Sequence, residues 1–450
     1  MSRTEPARGM RDFLPEDVRR REYVVGIVRR VYESYGFEPL ETPAAENIET
    51  LLGKYGEEGN QLIFKILKRG VHESSGEADL ALRYDLTVPL ARVVAHHQAK
   101  LPRIFKRYQI QPVWRADRPA RGRFREFYQC DVDALGSTSP TVEAEVCAAV
   151  ADVMGTLGFT DFTIRLNHRQ LLSAVLDVAG VPQTLHGDAH IAVDKLDKIG
   201  PEGVAKEFES RGIEAAAGQR LLTFVTAGGS DALERVAAFV AAHEGGRQAV
   251  ENLRQILTLS RHTSAGATLA VDPSLARGLS YYTGAIMEVA VPDLAGSLGG
   301  GGRYDNLVGM FLKQSVPACG FSLGLERILV VMQERGMFPA NVEAGSLDVV
   351  VAALDEAALA AAVQAAAELR RAGALRVDLF PDVASKMDRV FKHADQRQAR
   401  FIAILGSDEV RDGTIMVRDV AAKTKAAMRV GEAASFIQQA LRTRDRAQDE

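Results

Sequence analysis

Residues 114–133 read WRADRPARGRFREFYQCDVD, a stretch in which closely spaced arginines lead into a strand-like run. The arginines lie around a proline and a glycine, both turn-forming residues, and they are Arg115, Arg118, Arg121, Arg123 and Arg125. A guanidinium group presents a rigid fork of donors that matches phosphate oxygens, so such a hairpin could hold a triphosphate. Composition alone favours the alternative, which is a solvated basic hairpin or a patch that binds an RNA backbone.

Short strand-like segments surround this hairpin. Between about residues 62 and 133, the pieces LIFKIL, LALRYDL and RFREFYQCDVD alternate with glycine and charged turns, and they predict an antiparallel sheet. Apolar residues at helical spacing predict an amphipathic helix from Leu14 to Tyr35, ended by Gly36. A second helix from Thr141 to Leu157 and a strand FTIRLN follow the sheet.

The remaining chain divides into a helical segment, a return to strands and a final α/β segment. Residues 172–262 have helical periodicity and predict a helical insertion into a domain formed by residues 1–171 and 263–337. Strands ATLAVD and AIMEVAV, a glycine cluster and the helix LERILVVMQERG complete that domain. Strands and helices then alternate in residues 345–445, which predicts a separate α/β domain of roughly 100 residues. The fold class is therefore α+β.

Composition narrows the class of protein. Apolar residues make up 46% of the 450 residues and charged residues 25%, the balance of a globular protein. With no run of about 18 apolar residues and a highly charged N-terminus, we expect a cytoplasmic protein without a membrane partner. The net charge of −4 gives no global argument for nucleic acid. The three cysteines form no CxxC pair, and HGDAH at residues 186–190 lacks a third ligand, so no metal site is predicted.

A second chemical signal is the peptide ACGFSLGLERILVV, residues 318–331. Its small-residue strand ends at Gly324, and a helix begins near Glu326 and Arg327. A cation in the first turn of a helix opposes the helix dipole, so Arg327 is better explained if an anion lies there. The alternative is a structural salt bridge to Glu326 or a neighbour.

A third signal is LARGLSYYTGAIMEV at residues 275–289, followed by GGGGRYDNLVG at residues 299–309. The glycines let backbone and ligand approach closely. Aromatic residues beside a strand are more often core than ligand contacts, so this signal alone assigns no function.

Taken in order, these stretches resemble the class II aminoacyl-tRNA synthetases, and specifically the histidyl enzymes. The second signature of the class opens with aromatic-Arg-x-Glu/Asp, which appears here as Trp114, Arg115, Ala116 and Asp117. GFSLGLERI resembles the third signature, and the helix and ETP strand around Pro43 resemble the weaker first one. ARGLSYYTG and GGGGRYD are the peptides that separate histidyl enzymes from their class, and both are present.

The resemblance implies a function and a set of site residues. It implies activation of L-histidine with ATP to histidyl-adenylate, transfer to tRNA(His), Mg²⁺ on the ATP phosphates, an anticodon-binding C-terminal domain and a homodimer. The implied catalytic residues are Arg115 and Arg277, which would neutralise charge rather than transfer a proton. The implied histidine-binding residues are Asp85, Thr87, Arg115, Gln129, Asp133, Arg277, Tyr281, Tyr282 and Tyr304, and the implied ATP-binding residues are Arg115, Asp117, Arg123, Arg125 and Arg327.

One departure from the family and two rival functions bear on this assignment. Ser280 stands where the histidyl enzymes have Asp in the G-L-D-Y-Y peptide, which removes a charge beside the pocket. One rival is the regulatory paralogue of ATP phosphoribosyltransferase, which typically loses the histidyl peptides and the anticodon domain. The other is a non-enzymatic module that senses uncharged tRNA, which would leave the ATP-directed arginines unexplained.

Overall fold

The computed structural model describes residues 4–70, 75–193, 195–226, 231–276, 281–312, 314–343, 347–373, 375–384 and 386–449. The chain forms two compact units, residues 1–14 with 21–337 and residues 15–20 with 338–450. Along the first unit, the strands are β1 (Glu38–Pro39), β2 (Ala45–Asn47), β3 (Lys65–Leu67), β4 (Ala78–Leu82), β5 (Phe105–Trp114), β6 (Glu126–Leu135), β7 (Thr163–His168), β8 (Leu269–Val271), β9 (Ala285–Ala290), β10 (Ser297–Arg303) and β11 (Ala318–Gly324).

The helices accompany these strands. They are α1 (Pro15–Ser34), α2 (Ile48–Leu51), α3 (Gly56–Gln61), α4 (Thr87–His97), α5 (Thr141–Thr156), α6 (Arg169–Ala179), α7 (His186–Val193), α8 (Leu196–Ser210), α9 (Ala215–Val225), α10 (Ala232–Phe239), α11 (Glu244–Ser260) and α12 (Leu325–Glu334). The next helix, α13 (Ala340–Glu343), belongs to the second unit. Short 3₁₀ turns cover Gln183–Leu185, Ser264–Ala267 and Val308–Met310.

An eight-stranded sheet forms the centre of the first unit. Its strand order is β1-β5-β6-β11-β10-β9-β7-β8, with antiparallel pairing from β5 through β7 and a parallel strand at each edge. The strands β2, β4 and β3 form a smaller antiparallel sheet. The predicted antiparallel architecture is therefore confirmed.

The glycine cluster is an interior strand of this sheet. A Cβ atom on Gly301 would lie 2.2 Å from the carbonyl oxygen of Gly320, and one on Gly302 would lie 2.6 Å from that of Ala285. Real Cβ atoms do not come so close to backbone oxygens, so a larger residue would push β9 and β11 away from β10. The glycines therefore let the backbone of β10 pack closely between β9 and β11.

β5 and α4 are among the elements that the sequence pattern did not predict. β5 pairs with β6 over its whole length, from Phe105 opposite Leu135 to Trp114 opposite Glu126. α4 follows β4 and begins at Thr87, where the carboxylate of Asp85 accepts a hydrogen bond from the backbone N–H of Val88 at 3.0 Å. A carboxylate just before a helix satisfies one of the donors that the first turn leaves open.

Helices α6 to α11 fill the segment that the sequence assigns to an insertion. α11 packs against α6 and α5 through an apolar face that includes Val250, Leu253 and Ile256, all buried. Helical character is confirmed, while the insertion boundaries at residues 172 and 262 stay a prediction.

The second unit is a mixed sheet with helices. It contains the strands β12 (Val349–Ala353), β13 (Val377–Leu379), β14 (Phe401–Leu405), β15 (Thr414–Asp419) and β16 (Lys425–Arg429), the helices α14 (Leu359–Gly373), α15 (Met387–Gln396), α16 (Ser407–Asp412) and α17 (Val430–Asp449), and a 3₁₀ turn at Glu356–Ala358. The strand order is β13-β12-β14-β15-β16, parallel in the first half and antiparallel in the second. Among all described helices, none is both long and apolar enough to span a membrane.

Candidate active site

A carboxylate in the middle of the large sheet is the centre of the site. Asp133 lies on β6, opposite Arg107 of β5 and Gly320 of β11, and is 2% exposed. The Nη2 atom of Arg107 lies 2.7 Å from Oδ2 of Asp133, and the phenol of Tyr304 donates to Oδ1. Burial raises the pKa of Asp133, and Arg107 and Tyr304 oppose that rise by stabilising the ionised form. The side chain is therefore fixed in one orientation.

Gly320 is required for this orientation, and its replacement gives a direct test. A Cβ atom there would lie 1.8 Å from Oδ1 of Asp133 and 2.8 Å from the carbonyl oxygen of Val132. On the histidine-binding role that the resemblance implies for Asp133, we expect Gly320→Ala to displace the carboxylate and raise the KM for histidine at least about tenfold, the scale of one lost charged hydrogen bond. Steady-state ATP–pyrophosphate exchange measures it. Gly155→Ala is the matched control, because a Cβ atom on Gly155 meets nothing within 4 Å. An unchanged KM in Gly320→Ala would contradict the assignment.

A second buried carboxylate, Asp85, lies before α4 and is 1% exposed. Its Oδ1 accepts from the phenol of Tyr55 at 3.0 Å as well as from the N–H of Val88, and its Oδ2 accepts from the phenol of Tyr281 at 3.1 Å. Burial raises the pKa of the Tyr281 phenol, and Thr87 at the start of α4 lowers it. Burial raises the pKa of Asp85, and these hydrogen bonds together with Arg115 work in the opposite direction.

Three tyrosines from two segments of the chain meet beside these carboxylates. The ring of Tyr281 contacts those of Tyr282 and Tyr304 edge to face, at centroid distances of 5.2 and 6.0 Å. Tyr282 lies against Gly302, whose added Cβ atom would come within 3.0 Å of the ring. Burial first, and then the charge of Asp133, raises the pKa of the Tyr282 phenol well above its usual value. This phenol therefore stays protonated and can both donate and accept.

Gln129 continues the polar face of β6. It is 8% exposed and its Nε2 donates to Oγ of Ser322 at 2.7 Å. Side chains two residues apart on a strand lie on the same face, so Gln129 shares this face with Asp133.

Arg115 follows β5 and is held by backbone and aromatic groups. Its Nε donates to the carbonyl oxygen of Tyr84 at 2.9 Å, and its guanidinium lies 4.2 Å from the ring centroid of Tyr84 and 5.2 Å from that of Phe127. Stacking on aromatic faces restricts the guanidinium plane. Because Arg115 also affects the pKa of Asp85, it lies on the border between the carboxylate pocket and the arginine hairpin.

The arginines implied for ATP gather from two distant stretches. Arg327 of α12 donates to the carbonyl oxygen of Ser297, and its Cγ atom would lie 3.1 Å from a Cβ atom on Gly122 of the hairpin. Arg125 donates from Nε to the backbone oxygen of Asp117 at 3.1 Å. Arg123 reaches the carboxylate of Asp117 at 3.9 Å, and its side chain is 52% exposed. The hairpin and the first turn of α12 therefore lie side by side.

Other hairpin arginines face elsewhere. Arg121 forms a bidentate ion pair with Glu334 at the end of α12, and both side chains are about half exposed. Arg118 is exposed. The alternative interpretation, a solvated basic hairpin, therefore describes Arg118 and Arg121 better than it describes Arg115 or Arg125.

An N-terminal segment that the sequence pattern did not single out holds the hairpin to α12. The backbone N–H of Arg125 donates to the oxygen of Gly9 at 2.8 Å. The guanidinium of Arg11 lies 3.8 Å from the ring centroid of Phe124 and 3.7 Å from a carboxylate oxygen of Glu326. Glu326 also accepts the backbone N–H of Tyr128 on β6. No periodic pattern marks Gly9 or Arg11, so only the folded chain reveals them.

Arg277 and Ser280 belong to residues 277–280, which lie outside the described residues. The role of Arg277 and the consequence of Ser280 therefore stay predictions.

The combination of fold and site defines the class. An antiparallel sheet that carries a polar pocket beside arginines from a hairpin and from a following helix is the catalytic arrangement of a class II aminoacyl-tRNA synthetase. The family model "Histidyl-tRNA synthetase" matches residues 9–328, and the model "Anticodon binding domain" matches residues 348–440. The chain belongs to the histidyl-tRNA synthetase family.

Similar proteins support this membership over nearly the whole chain. The chain is 41% identical to a histidine–tRNA ligase of Christiangramia forsetii, covering 90% of this chain and 92% of that protein. It is 39% identical to a histidine–tRNA ligase of Gloeobacter violaceus, covering 97% and 98%. The crystal structure of histidyl-tRNA synthetase from Nostoc sp. PCC 7120 aligns with a TM-score of 0.81 at 29% identity, covering 98% of this chain and 100% of that one.

Family membership fixes the reaction class. The protein is an ATP-dependent ligase that joins histidine to tRNA. The regulatory and tRNA-sensing alternatives lose their support, because the similarity to histidine–tRNA ligases covers 92% and 98% of two of those proteins and a family model matches the anticodon-binding domain.

Proposed function

We propose that histidine binds with its imidazole between Asp133 and Tyr282. Neutral imidazole has one N–H donor and one acceptor nitrogen, so a selective pocket needs a carboxylate on one side and a hydroxyl donor on the other. The observation that carries this proposal is the fixed orientation of Asp133, held by Arg107 and Tyr304 in a buried place next to Tyr282. An amino acid that lacks either nitrogen would leave one of these buried groups unpaired, and would be rejected.

Arg115 then bridges the two reacting anions. The histidine carboxylate attacks the α-phosphate of ATP, and negative charge must be neutralised while the bond forms. A guanidinium already held by the Tyr84 carbonyl and two aromatic rings needs little reorganisation for this task. Asp85, Thr87 and Gln129 are proposed to border the α-amino group, with Tyr281 and Tyr304 as neighbours that fix the carboxylates. Catalysis consists of positioning and electrostatics, without a covalent enzyme intermediate.

The triphosphate is proposed to lie along the hairpin and the start of α12, bound by Arg123, Arg125 and Arg327. Mg²⁺ carried on phosphates needs few protein ligands. Asp117 fits such a role, because its half-buried carboxylate lies in the hairpin beside Arg123. Within the described residues, no cluster of three acidic, histidine or cysteine side chains could hold a metal by itself. Mg²⁺ would therefore arrive with ATP and further neutralise the phosphate charge.

Arg277 gives a prediction that depends on the family resemblance alone. If it contacts the α-phosphate, Arg277→Ala should leave folding intact and lower histidine-dependent ATP–pyrophosphate exchange by about two to three orders of magnitude. Arg247→Ala, which removes an exposed arginine of α11, serves as the control. Near-normal exchange in Arg277→Ala would remove this residue from the site.

The proposals for tRNA binding and for dimer formation rest on the family resemblance. The second unit is proposed to bind the anticodon of tRNA(His), supported by the match of residues 348–440 to the anticodon-binding model. A homodimer in the cytoplasm is also proposed, with the helix α1 and the segment around Pro43 at the interface.

Aminoacylation of tRNA with radiolabelled histidine tests the proposed function as a whole. We expect acid-stable charging of tRNA(His) that requires ATP. A regulatory paralogue or a tRNA sensor would bind without charging, and that result would contradict the proposal.

A further inference from the structure

A turn near the N-terminus, residues 7–11, lies against the arginine hairpin, and we call it the N-terminal turn. A hydrogen bond from the backbone N–H of Met10 to the carbonyl oxygen of Ala7, at 2.9 Å, closes it. Within the turn Gly9 has a φ of 82°, a conformation that residues with a side chain rarely adopt. The turn therefore presents bare backbone at Gly9.

Arg125 of the hairpin lies directly over this bare backbone. Its N–H donates to the carbonyl oxygen of Gly9 at 2.8 Å. A Cβ atom on Gly9 would lie 2.8 Å from Cγ and 2.9 Å from Cδ of Arg125, and 3.0 Å from Cγ of Pro119. Carbon atoms that are not bonded to each other prefer separations of about 3.5–4.0 Å. The side chain of Arg125 therefore follows its path only because Gly9 has no side chain.

The path of the Arg125 side chain decides where its guanidinium lies. Beyond the contact with Gly9, the Nε atom donates to the backbone oxygen of Asp117 at 3.1 Å. This bond fixes the plane of the guanidinium and leaves the donors on its two terminal nitrogens for a phosphate. A shift of the Arg125 stem would break the bond to Asp117 and move those donors.

Arg11 connects the same turn to the start of α12. Its guanidinium lies 3.8 Å from the ring centroid of Phe124 and 3.7 Å from a carboxylate oxygen of Glu326. Burial raises the pKa of Glu326 to about 7, while the N–H of Tyr128 and the charge of Arg11 lower it. Arg327 is the next residue in the chain. The N-terminal turn thus contacts both elements that are proposed to bind the triphosphate.

We propose that Gly9 positions Arg125 for the triphosphate of ATP, which makes the N-terminal turn a supporting part of the nucleotide site. Gly9 is a positioning residue, because it acts through the side chain of Arg125 and not by contact with the nucleotide. The proposal rests on the ATP-binding role proposed for Arg125 and adds to it the backbone on which that side chain lies.

Gly9→Ala tests this role by ATP–pyrophosphate exchange at varied ATP and varied histidine. We expect the KM for ATP to rise about tenfold or more, the scale of one lost hydrogen bond to a charged group. The KM for histidine should stay near that of the wild type, because Asp133 is held by separate contacts with Arg107 and Tyr304. An unchanged KM for ATP, or an equal rise in both constants, would overturn the proposal.

Gly212→Ala is the matched control for backbone strain. Gly212 also has a positive φ, 77°, but a Cβ atom there meets nothing within 4 Å. The control therefore carries the same kind of strain without a collision, and both KM values should remain those of the wild type. A rise in the KM for ATP in Gly212→Ala as large as that in Gly9→Ala would contradict the role of the collision.

A double variant shows whether the effect passes through Arg125. Arg125→Ala alone should raise the KM for ATP, and adding Gly9→Ala to it should change little, since the displaced side chain is already gone. If the two effects multiply, the turn acts by another route and the proposal fails. A normal KM for ATP in Arg125→Ala refutes the ATP-binding role of Arg125 and the proposal with it. A rise in Arg125→Ala without one in Gly9→Ala refutes the positioning role alone.

Gly9→Asn replaces the alanine variant if that protein does not fold. Asparagine adopts a positive φ more readily than alanine does and brings the same Cβ atom against Arg125. The same rise in the KM for ATP is expected, and a wild-type value in this folded variant would overturn the proposal. Circular dichroism melts report the folding of each variant.

Discussion

Arg115→Ala should lower histidine-dependent ATP–pyrophosphate exchange by about a thousandfold, the upper range for removal of one preorganised group that stabilises transition-state charge. Arg115 follows β5 where the carboxylate pocket meets the arginine hairpin, so it is the described residue best placed to contact both reacting anions. Loss of its guanidinium leaves two negative groups to approach one another without a shared partner. The effect should fall on kcat, since the charge develops during bond formation.

Arg115→Lys is the matched comparison. Lysine keeps the positive charge but lacks the planar fork of donors and stacks less well on the rings of Tyr84 and Phe127. We expect partial recovery of exchange in the lysine variant, well below the wild type. Circular dichroism melts of both variants report any loss of folding. Near-normal exchange in a folded Arg115→Ala protein would contradict the proposed bridge between histidine and ATP.

Asp133→Ala should raise the KM for histidine by about two orders of magnitude or more, because the imidazole would lose the carboxylate proposed to bind it and one of its polar groups would be left unpaired. The KM for ATP should change little, since the hairpin arginines are held by separate contacts. Exchange assays at varied histidine and varied ATP measure both constants.

Stability has to be followed in this variant as well. Asp133 lies 2.7 Å from the fully buried Arg107, and removal of one partner of a buried ion pair typically costs about 3–5 kcal/mol. Asp131, at 3.7 Å from the same guanidinium, should soften that loss. The assays therefore belong well below the melting temperature of the variant. An unchanged KM for histidine in folded protein would refute the role of Asp133 in the pocket.

Sequence patterns predicted helices and strands correctly where the apolar residues follow a helical or strand period. The helix from Leu14 to Tyr35 is confirmed as α1, and the strand after Arg125 as β6, because apolar spacing and turn residues report directly on local structure. β5 was missed for a physical reason. On one face of β5 three consecutive positions are polar, Arg107, Gln109 and Gln111, between Phe105 and Val113, and they interrupt the apolar alternation by which buried strands are found.

The contacts within the site could not be read from spacing. Asp133 and Tyr304 are far apart in the sequence, and so are Asp85 and Tyr281, yet each pair is joined by a hydrogen bond. The strand order of the large sheet brings Asp133 and Tyr304 together, whereas Asp85 follows β4 of the smaller sheet and meets Tyr281 only in the folded chain. Family resemblance supplied these residues, but it gave no role to Arg107, to Asp131 or to Arg11, because each acts through a tertiary contact with no sequence signature.

A crystal structure of the protein with L-histidine and a non-hydrolysable ATP analogue is the most direct test of the central claim, which is that one pocket selects imidazole and one arginine joins it to the nucleotide. The account predicts imidazole nitrogens within hydrogen-bond distance, about 2.7–3.2 Å, of Asp133 and Tyr282, with the Arg115 guanidinium between the histidine carboxylate and the α-phosphate. An imidazole that points away from Asp133, or a nucleotide bound away from Arg115 and Arg327, would contradict it.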